Sequence, residues 1–269
     1  MARIDHRPFL QPHPQDLPVV MLHGSASGPR QWTGLSEFLG GRHQTLAPRM
    51  PGYGRDDAPD MTVTERADSL MAGVLSGTTA LHLVGHSFGA VVALDIAARF
   101  PARVASLTLI EPVAFFETDT ADRFEAMGRS ARVALEEGDA YAASARFIDF
   151  WFGAGAWTRS SLAFQQNTAR FAGRVMGDFA ALMEMKTRRP EFATIAAPVL
   201  MQFGTASAPE MAQVGTALAA RLPNAEIHRI DGAGHLPHLS DPHVSHPAIG
   251  DFLVRSAAGW HSDQRQAAA

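Results

Sequence analysis

The chain contains no cysteine, which removes disulfides, thiolate nucleophiles and every cysteine-ligated metal site together. Lysine is almost as scarce. Lys186 is the only one and the remaining cationic residues are arginines, so a Schiff-base or phosphate-loop lysine has no candidate elsewhere. No stretch approaches the roughly 18 apolar residues of a membrane-spanning helix. Residues 1–16 carry charges and three prolines where a secretion signal would place an apolar run. A cytoplasmic protein without membrane association is the expectation. The net charge of −4 speaks against a nucleic-acid partner, and a homodimer is neither required nor excluded by the composition.

What is present is enough for a sizeable core, since 46% of the 269 residues are hydrophobic and 19% charged. Only the ends read otherwise, with 264–269 expected to be a disordered tail. Along the chain, short β-rich runs alternate with helical patterns, the signature of βαβ units around a mostly parallel sheet. Strands are predicted at 17–22, 44–47, 79–84, 104–110, 199–203 and 226–230. Helices are predicted at 29–39, 62–75, 90–100, 209–222 and 247–256. Between 113 and 190 the alternation stops and only helical patterns occur, at 119–137, 139–152, 160–174 and 176–185. Such a block reads as a lid over the carboxyl edge of a sheet, where open α/β folds bind ligands. The division predicted is a core from 1–112 and 191–269 with a helical cap from 113–190.

The most informative stretch is V-G-H-S-F-G at 84–89. It closes one apolar run and opens a helical one, and a Gly-x-Ser-x-Gly at a strand-to-helix corner lifts the serine hydroxyl clear of the backbone. Ser87 is therefore a candidate nucleophile. A serine hydroxyl needs a base to take its proton. Of the 12 histidines, His235 in G-A-G-H follows the last predicted strand and falls on a loop at the same sheet edge.

These motifs, with His23-Gly24 after the first strand, Trp32 in the helix that follows and Pro51-Gly52-Tyr53-Gly54 after the next strand, resemble the α/β-hydrolase fold family from about residue 17 to 256. The resemblance implies a mostly parallel, doubly wound sheet with an inserted cap. It also implies an oxyanion hole made from the backbone N–H groups of Ser25 and Phe88, and no cofactor.

The chain departs from the family at the acid. Where the family usually has a carboxylate, three residues after Gly204, this sequence has Ser207, which is expected to matter little. Some members, haloalkane dehalogenases among them, take the acid from the end of the strand after the nucleophile helix, and that position is Glu111. Asp231, Asp241 and Glu210 are the rival acids. Arg49 is a second departure, standing where many members have aspartate.

Two histidine pairs, His235-x-x-His238 and His243-x-x-His246, invite a metal reading, but Pro237, Pro242 and Pro247 are expected to break any helix that would align them. No metal is expected. Twelve of the 22 aromatic residues fall between 113 and 190. Phe115, Phe150, Trp151 and Trp157, with Trp32, are the residues expected to line a site for a small molecule with an apolar acyl or aromatic portion. The activity implied is ester hydrolysis through an acyl-enzyme. Hydrolysis of a C–C bond in a β-diketone-like substrate, lyase or perhydrolase chemistry, and a non-catalytic receptor remain as alternatives on the same scaffold.

Overall fold

A computed structural model describes residues 17–40, 42–54, 60–118, 121–187 and 191–267. Residues 1–16, Asp119 and Pro190, where the sequence reading places the leading segment, a helix start and the end of the helical block, lie outside the described residues.

Six strands form one sheet: β1 (Val19–Leu22), β2 (Thr45–Leu46), β3 (Leu81–His86), β4 (Val104–Ile110), β5 (Val199–Gly204) and β6 (Ala225–Ile230). Their order is β2-β1-β3-β4-β5-β6, with every pair parallel. The central strands β1, β3, β4 and β5 are buried throughout, as strands covered on both faces are, and their polar residues His82, Ser106, Thr108 and Gln202 are buried with the apolar ones. On one face, α2 (Val63–Ala72), α3 (Phe88–Arg99) and α9 (Glu210–Arg221) build the larger core. On the other, α1 (Thr33–Leu39) and α11 (Pro242–Ala267) pack on Val19, Met21, Val84 and Ile110.

The connection between β4 and β5 holds α4 (Asp122–Glu136), α5 (Ala140–Phe152), α6 (Ala156–Arg159), α7 (Leu162–Ala169) and α8 (Ala172–Glu184). The start of α8 lies four residues before the predicted one, because the chain turns at Arg170 and Phe171 and not after Arg174. Helix α2 begins where expected: Thr62 and Glu65 close a capping box, each side chain taking the other's backbone N–H.

The reading of the prolines needs correction. Pro237 sits at the first position of α10 (Pro237–Ser240), Pro242 opens α11, and Pro247 lies inside α11. At a helix start proline loses no hydrogen bond and its fixed φ suits the helix. Helix α11 also runs to Ala267, so the segment from 264 to 267 is helical and not the disordered tail expected.

Because all strands are parallel, their carboxyl ends share one edge, and two glycines let the chain pass tightly there. A Cβ on Gly85 would lie 2.5 Å from the Ala90 Cα, and one on Gly89 would lie 2.4 Å from the Leu22 carbonyl oxygen. Both obstacles are backbone and cannot rotate away. Gly89→Ala is expected to destabilise the fold by about 3 kcal/mol or more, read as a fall in Tm. An unchanged Tm would mean the elbow can spread.

Candidate active site

Ser87 follows β3 and precedes the first residue of α3, with φ 54° and ψ −120°. That strained backbone is held from both sides: Ser87 N–H donates to the Ile110 carbonyl at 2.9 Å, and the Ser87 carbonyl accepts from Ala90 N–H at 3.1 Å. Glu111 is one strand away at the end of β4, also at positive φ (48°), with its N–H extending the ladder to Gln202 at 2.9 Å. His235 arrives from the loop after β6. The loop presses on Gly204, where a Cβ would meet the Ala233 carbonyl oxygen at 2.1 Å, and the His86 ring donates through Nε2 to the His235 carbonyl at 2.9 Å. His86 thus fixes the backbone of His235 in addition to packing beside it.

The structure brings Ser87, His235 and Glu111 into one relay. Ser87 Oγ is 3.1 Å from His235 Nε2, and His235 Nδ1 is 3.1 Å from Glu111 Oε2. The carboxylate fixes the tautomer: Nδ1 carries the proton and donates, leaving Nε2 to accept from the hydroxyl. Glu111 is fully buried and accepts two further bonds, from Gly204 N–H at 2.8 Å and from Ser207 Oγ at 2.6 Å. Ser207, expected to matter little, thus donates to the acid. Sequence spacing could not show this, because the two residues are 96 positions apart. The rival carboxylates lie elsewhere. Glu210 pairs with Arg123 at 2.8 Å, Asp241 accepts from Ser240, and Asp231 is exposed.

Burial dominates the electrostatics. It pushes the His235 pKa down, so the imidazole rests neutral and can act as a base. It raises the Glu111 carboxyl to about 7, against the lowering effect of the Ser207 and Gly204 donors.

Trp151 of α5 covers the relay, its ring 3.7 Å from the His235 ring and tilted by only 16°. With Val113, Phe124, Met127, Phe147, Val175, Met176, Phe179 and Leu182 it walls a pocket whose polar lining is Ser25, Ser87 and Asp178. The cavity volume is only about 20 Å³, room for roughly one water. Of the residues expected to line the site, only Trp151 does.

The other four expectations are corrected. Trp32 is fully buried on the opposite face of the sheet, stacked on His238. Phe115 is fully buried behind the pocket, stacked on Phe124 at 4.2 Å, and Phe150 packs on Phe124 from another side. Trp157 meets Tyr141 within the helical block. Helical spacing identifies apolar faces but not which face meets the ligand.

The backbone N–H groups of Phe88 and Ser25 are those the resemblance implies for an oxyanion hole. Phe88 is the first residue of α3, where an N–H has no intrahelical acceptor. Ser25 lies in the loop after β1, and its N–H has no acceptor among the described residues. His23 links this loop to the next, accepting from Met50 N–H at 3.0 Å while bonding the Gly24 carbonyl at 2.9 Å. Among the described residues no group of three or more histidines or carboxylates is arranged to hold a metal. His238 instead contacts Gln31 and Trp32, and His246 donates to the His238 carbonyl.

Sequence reasoning missed a buried polar cluster beside the pocket. Asp178 of α8 pairs with Arg66 of α2 at 2.9 Å, both essentially sealed from solvent. It also accepts from Ser25 Oγ and from Tyr53 Oη, each at 2.6 Å. Burial raises the Asp178 pKa, opposed by Arg66 and the two hydroxyls. A signal was available: Arg66 stands three residues after Val63 and four before Leu70, and Asp178 three after Val175 and four before Leu182. Each charge interrupts an otherwise apolar helical stripe.

Strand order, elbow and pocket together define a hydrolase of the α/β class. The chain belongs to the alpha/beta hydrolase family, whose sequence pattern matches residues 19–245. It is 28% identical over 254 residues to the pimeloyl-[acyl-carrier protein] methyl ester esterase of Aromatoleum aromaticum, covering 87% of this chain and 97% of that protein. Among solved structures, its fold is similar to that of a thermophilic esterase from Thermogutta terrifontis (TM-score 0.69, 23% identity, 90% of this chain and 91% of that one). MenH from S. aureus shares it as well (TM-score 0.71, 18% identity, 89% and 94%). Among the described residues no helix is long and apolar enough to cross a membrane.

Proposed function

We propose that the chain hydrolyses a small carboxylic ester, or a related acyl compound, whose acyl or aromatic portion is apolar. The observation that carries this reading is the relay from Ser87 through His235 to Glu111, with 3.1 Å at each link. Ser87 Oγ attacks the carbonyl carbon as its proton passes to His235 Nε2, and Glu111 stabilises the imidazolium that forms. The Ser25 and Phe88 N–H groups receive the oxyanion, a contribution of about 3 kcal/mol per donor to barrier lowering. Collapse of the tetrahedral intermediate expels the alcohol, which takes the proton from His235. Water then attacks the acyl carbon as the same imidazole takes its proton, and the imidazolium passes that proton to Ser87 Oγ as the acid leaves. Every nucleophilic, proton-transferring and oxyanion-binding protein group in these steps belongs to this chain.

Support for an apolar substrate comes from the pocket wall. A pocket holding about one water must enlarge to admit any ester, so residues 113–190 act in this reading as a cap that moves away from the core formed by 1–112 and 191–269. The esterase of Aromatoleum aromaticum, similar over nearly its whole length, agrees with ester chemistry.

A panel of p-nitrophenyl esters of graded acyl length, run beside a β-diketone-like C–C substrate, tests the assignment. Ester kcat/KM should exceed C–C turnover by at least about 100-fold and rise with chain length before the pocket is filled. Preference for the C–C substrate would defeat the ester reading. Kinetics against pH provide a second check. With the carboxyl of Glu111 raised to about 7, proton uptake below that pH removes the charge that supports the imidazolium. kcat/KM should fall with a one-proton limb near pH 7 that belongs to the Glu111–His235 pair. A rate unchanged down to pH 5 would show that the ionised carboxylate is not needed.

A further inference from the structure

The loop carrying the Ser25 N–H is not held by the core alone. Ala26, next in the chain, sits at φ 55°, a left-handed conformation that a non-glycine residue keeps only when its surroundings enforce it. Two of the contacts that enforce it converge on one carboxylate. Ser25 Oγ donates to Asp178 Oδ2 at 2.6 Å. Ala26 N–H donates to Tyr53 Oη at 3.1 Å, and the same Tyr53 hydroxyl donates to Asp178 Oδ2 at 2.6 Å. Asp178 belongs to α8 in the helical block, whereas Ser25, Tyr53 and Arg66 belong to the core. The carboxylate is thus a polar point where the block holds the loop that presents an oxyanion donor, beside the apolar contact of Ala26 with the block's cluster around Ala131, Ala172 and Val175.

We infer that Asp178 is a positioning residue that couples docking of the helical block to assembly of the oxyanion hole. The inference rests on the acyl-transfer reading of Ser87 and deepens it. When the block lifts to admit substrate, Asp178 leaves with α8, Ser25 Oγ and Tyr53 Oη lose their shared acceptor, and the strained turn at Ala26 is free to relax. When the block returns over a bound substrate, Arg66 receives Asp178 again. Its guanidinium is already fixed by the Pro51 carbonyl at 2.6 Å and the Met61 carbonyl at 3.1 Å, so it returns the carboxylate to one place. The two hydroxyls then reset the Ser25 N–H toward the carbonyl above Ser87. Carbonyl activation is thereby confined to the closed, water-poor state.

Tyr53→Phe and Ser25→Ala each remove one link while leaving the Arg66–Asp178 ion pair intact. Both keep the backbone donor at residue 25 and should fold. Asp178→Asn removes the buried charge that faces Arg66, so its Tm is measured first, and the two milder variants carry the test if it does not fold. Hydrogen–deuterium exchange of the full chain, followed by mass spectrometry, reads the amides of residues 24–28. Kinetics on a p-nitrophenyl ester give kcat and KM separately, and a fluorophosphonate reports whether Ser87 is reactive.

In Tyr53→Phe and Ser25→Ala, exchange over 24–28 should rise at least tenfold at unchanged Tm, and kcat should fall about 10- to 100-fold with KM within twofold. Parent-like exchange over 24–28 in both variants overturns the coupling. So does raised exchange with kcat unchanged, and so does a loss confined to KM. The exchange readout needs no turnover, so it decides the coupling independently of the reaction. An unlabelled Ser87 in the parent protein would instead defeat the acyl-transfer reading itself.

Discussion

Glu111→Gln is expected to lower kcat by about 10⁴-fold while the protein stays folded. The amide that replaces the carboxylate can still accept the Gly204 N–H, but it offers no charge to the imidazolium and can hold His235 in the wrong tautomer. The same substitution should stabilise the fold at alkaline pH, and the sign follows from linkage. Folding raises the Glu111 carboxyl from 4.5 to about 7, so the native state binds the proton more tightly than the unfolded chain does. The stability this gives is full below about pH 4.5 and is lost as pH rises through 7. The amide has no such proton to lose. At pH 8 the variant should therefore exceed the parent by at most about 3 kcal/mol, read as a higher Tm, and the two should converge near pH 5. A variant that is both active and less stable at pH 8 would contradict the assigned role of Glu111. Ser207→Ala removes one of the three bonds that Glu111 accepts and should cost only about tenfold in kcat.

Ser87→Gly is expected to abolish turnover, with a loss of about 10⁶-fold in kcat, and also to stabilise the protein. Ser87 is held at φ 54° and ψ −120°, a conformation that costs a side-chain-bearing residue about 1 to 3 kcal/mol and glycine almost nothing. Ser87→Ala should lose activity equally but gain no stability, since its Cβ keeps the strain. The comparison separates the chemistry of the hydroxyl from the geometry of the elbow. Parallel Tm changes in the two variants would show that the backbone at residue 87 is not strained.

Much of this arrangement is legible in the sequence because it rests on local rules. Gly85 and Gly89 announce a corner by steric need around Ser87, and the buried strands announce themselves as short runs rich in apolar residues. Glu111 is reached through the family resemblance, which offers the end of the strand after the nucleophile helix as an alternative place for the acid. What cannot be read depends on contacts distant in sequence. Ser207 reads as a lost acid, yet it donates to the acid that replaces it. Phe115, Phe150 and Trp157 are aromatic residues of the same block as Trp151, but only the packing of its elements against one another decides that of these four Trp151 meets His235. Pro247 reads as a helix breaker, whereas α11 passes through it. Arg66 and Asp178 each disturb one helical stripe, and their partnership becomes visible only when α2 and α8 are seen side by side.

The relay of Ser87, His235 and Glu111 is tested most directly by intact-mass and peptide mapping after exposure to a fluorophosphonate. One phosphonyl adduct located on Ser87, formed quickly in the parent, slowly in Glu111→Gln and not at all in Ser87→Ala, is the result expected of a serine activated by this chain of groups. No adduct, or an adduct on any other residue, would contradict it.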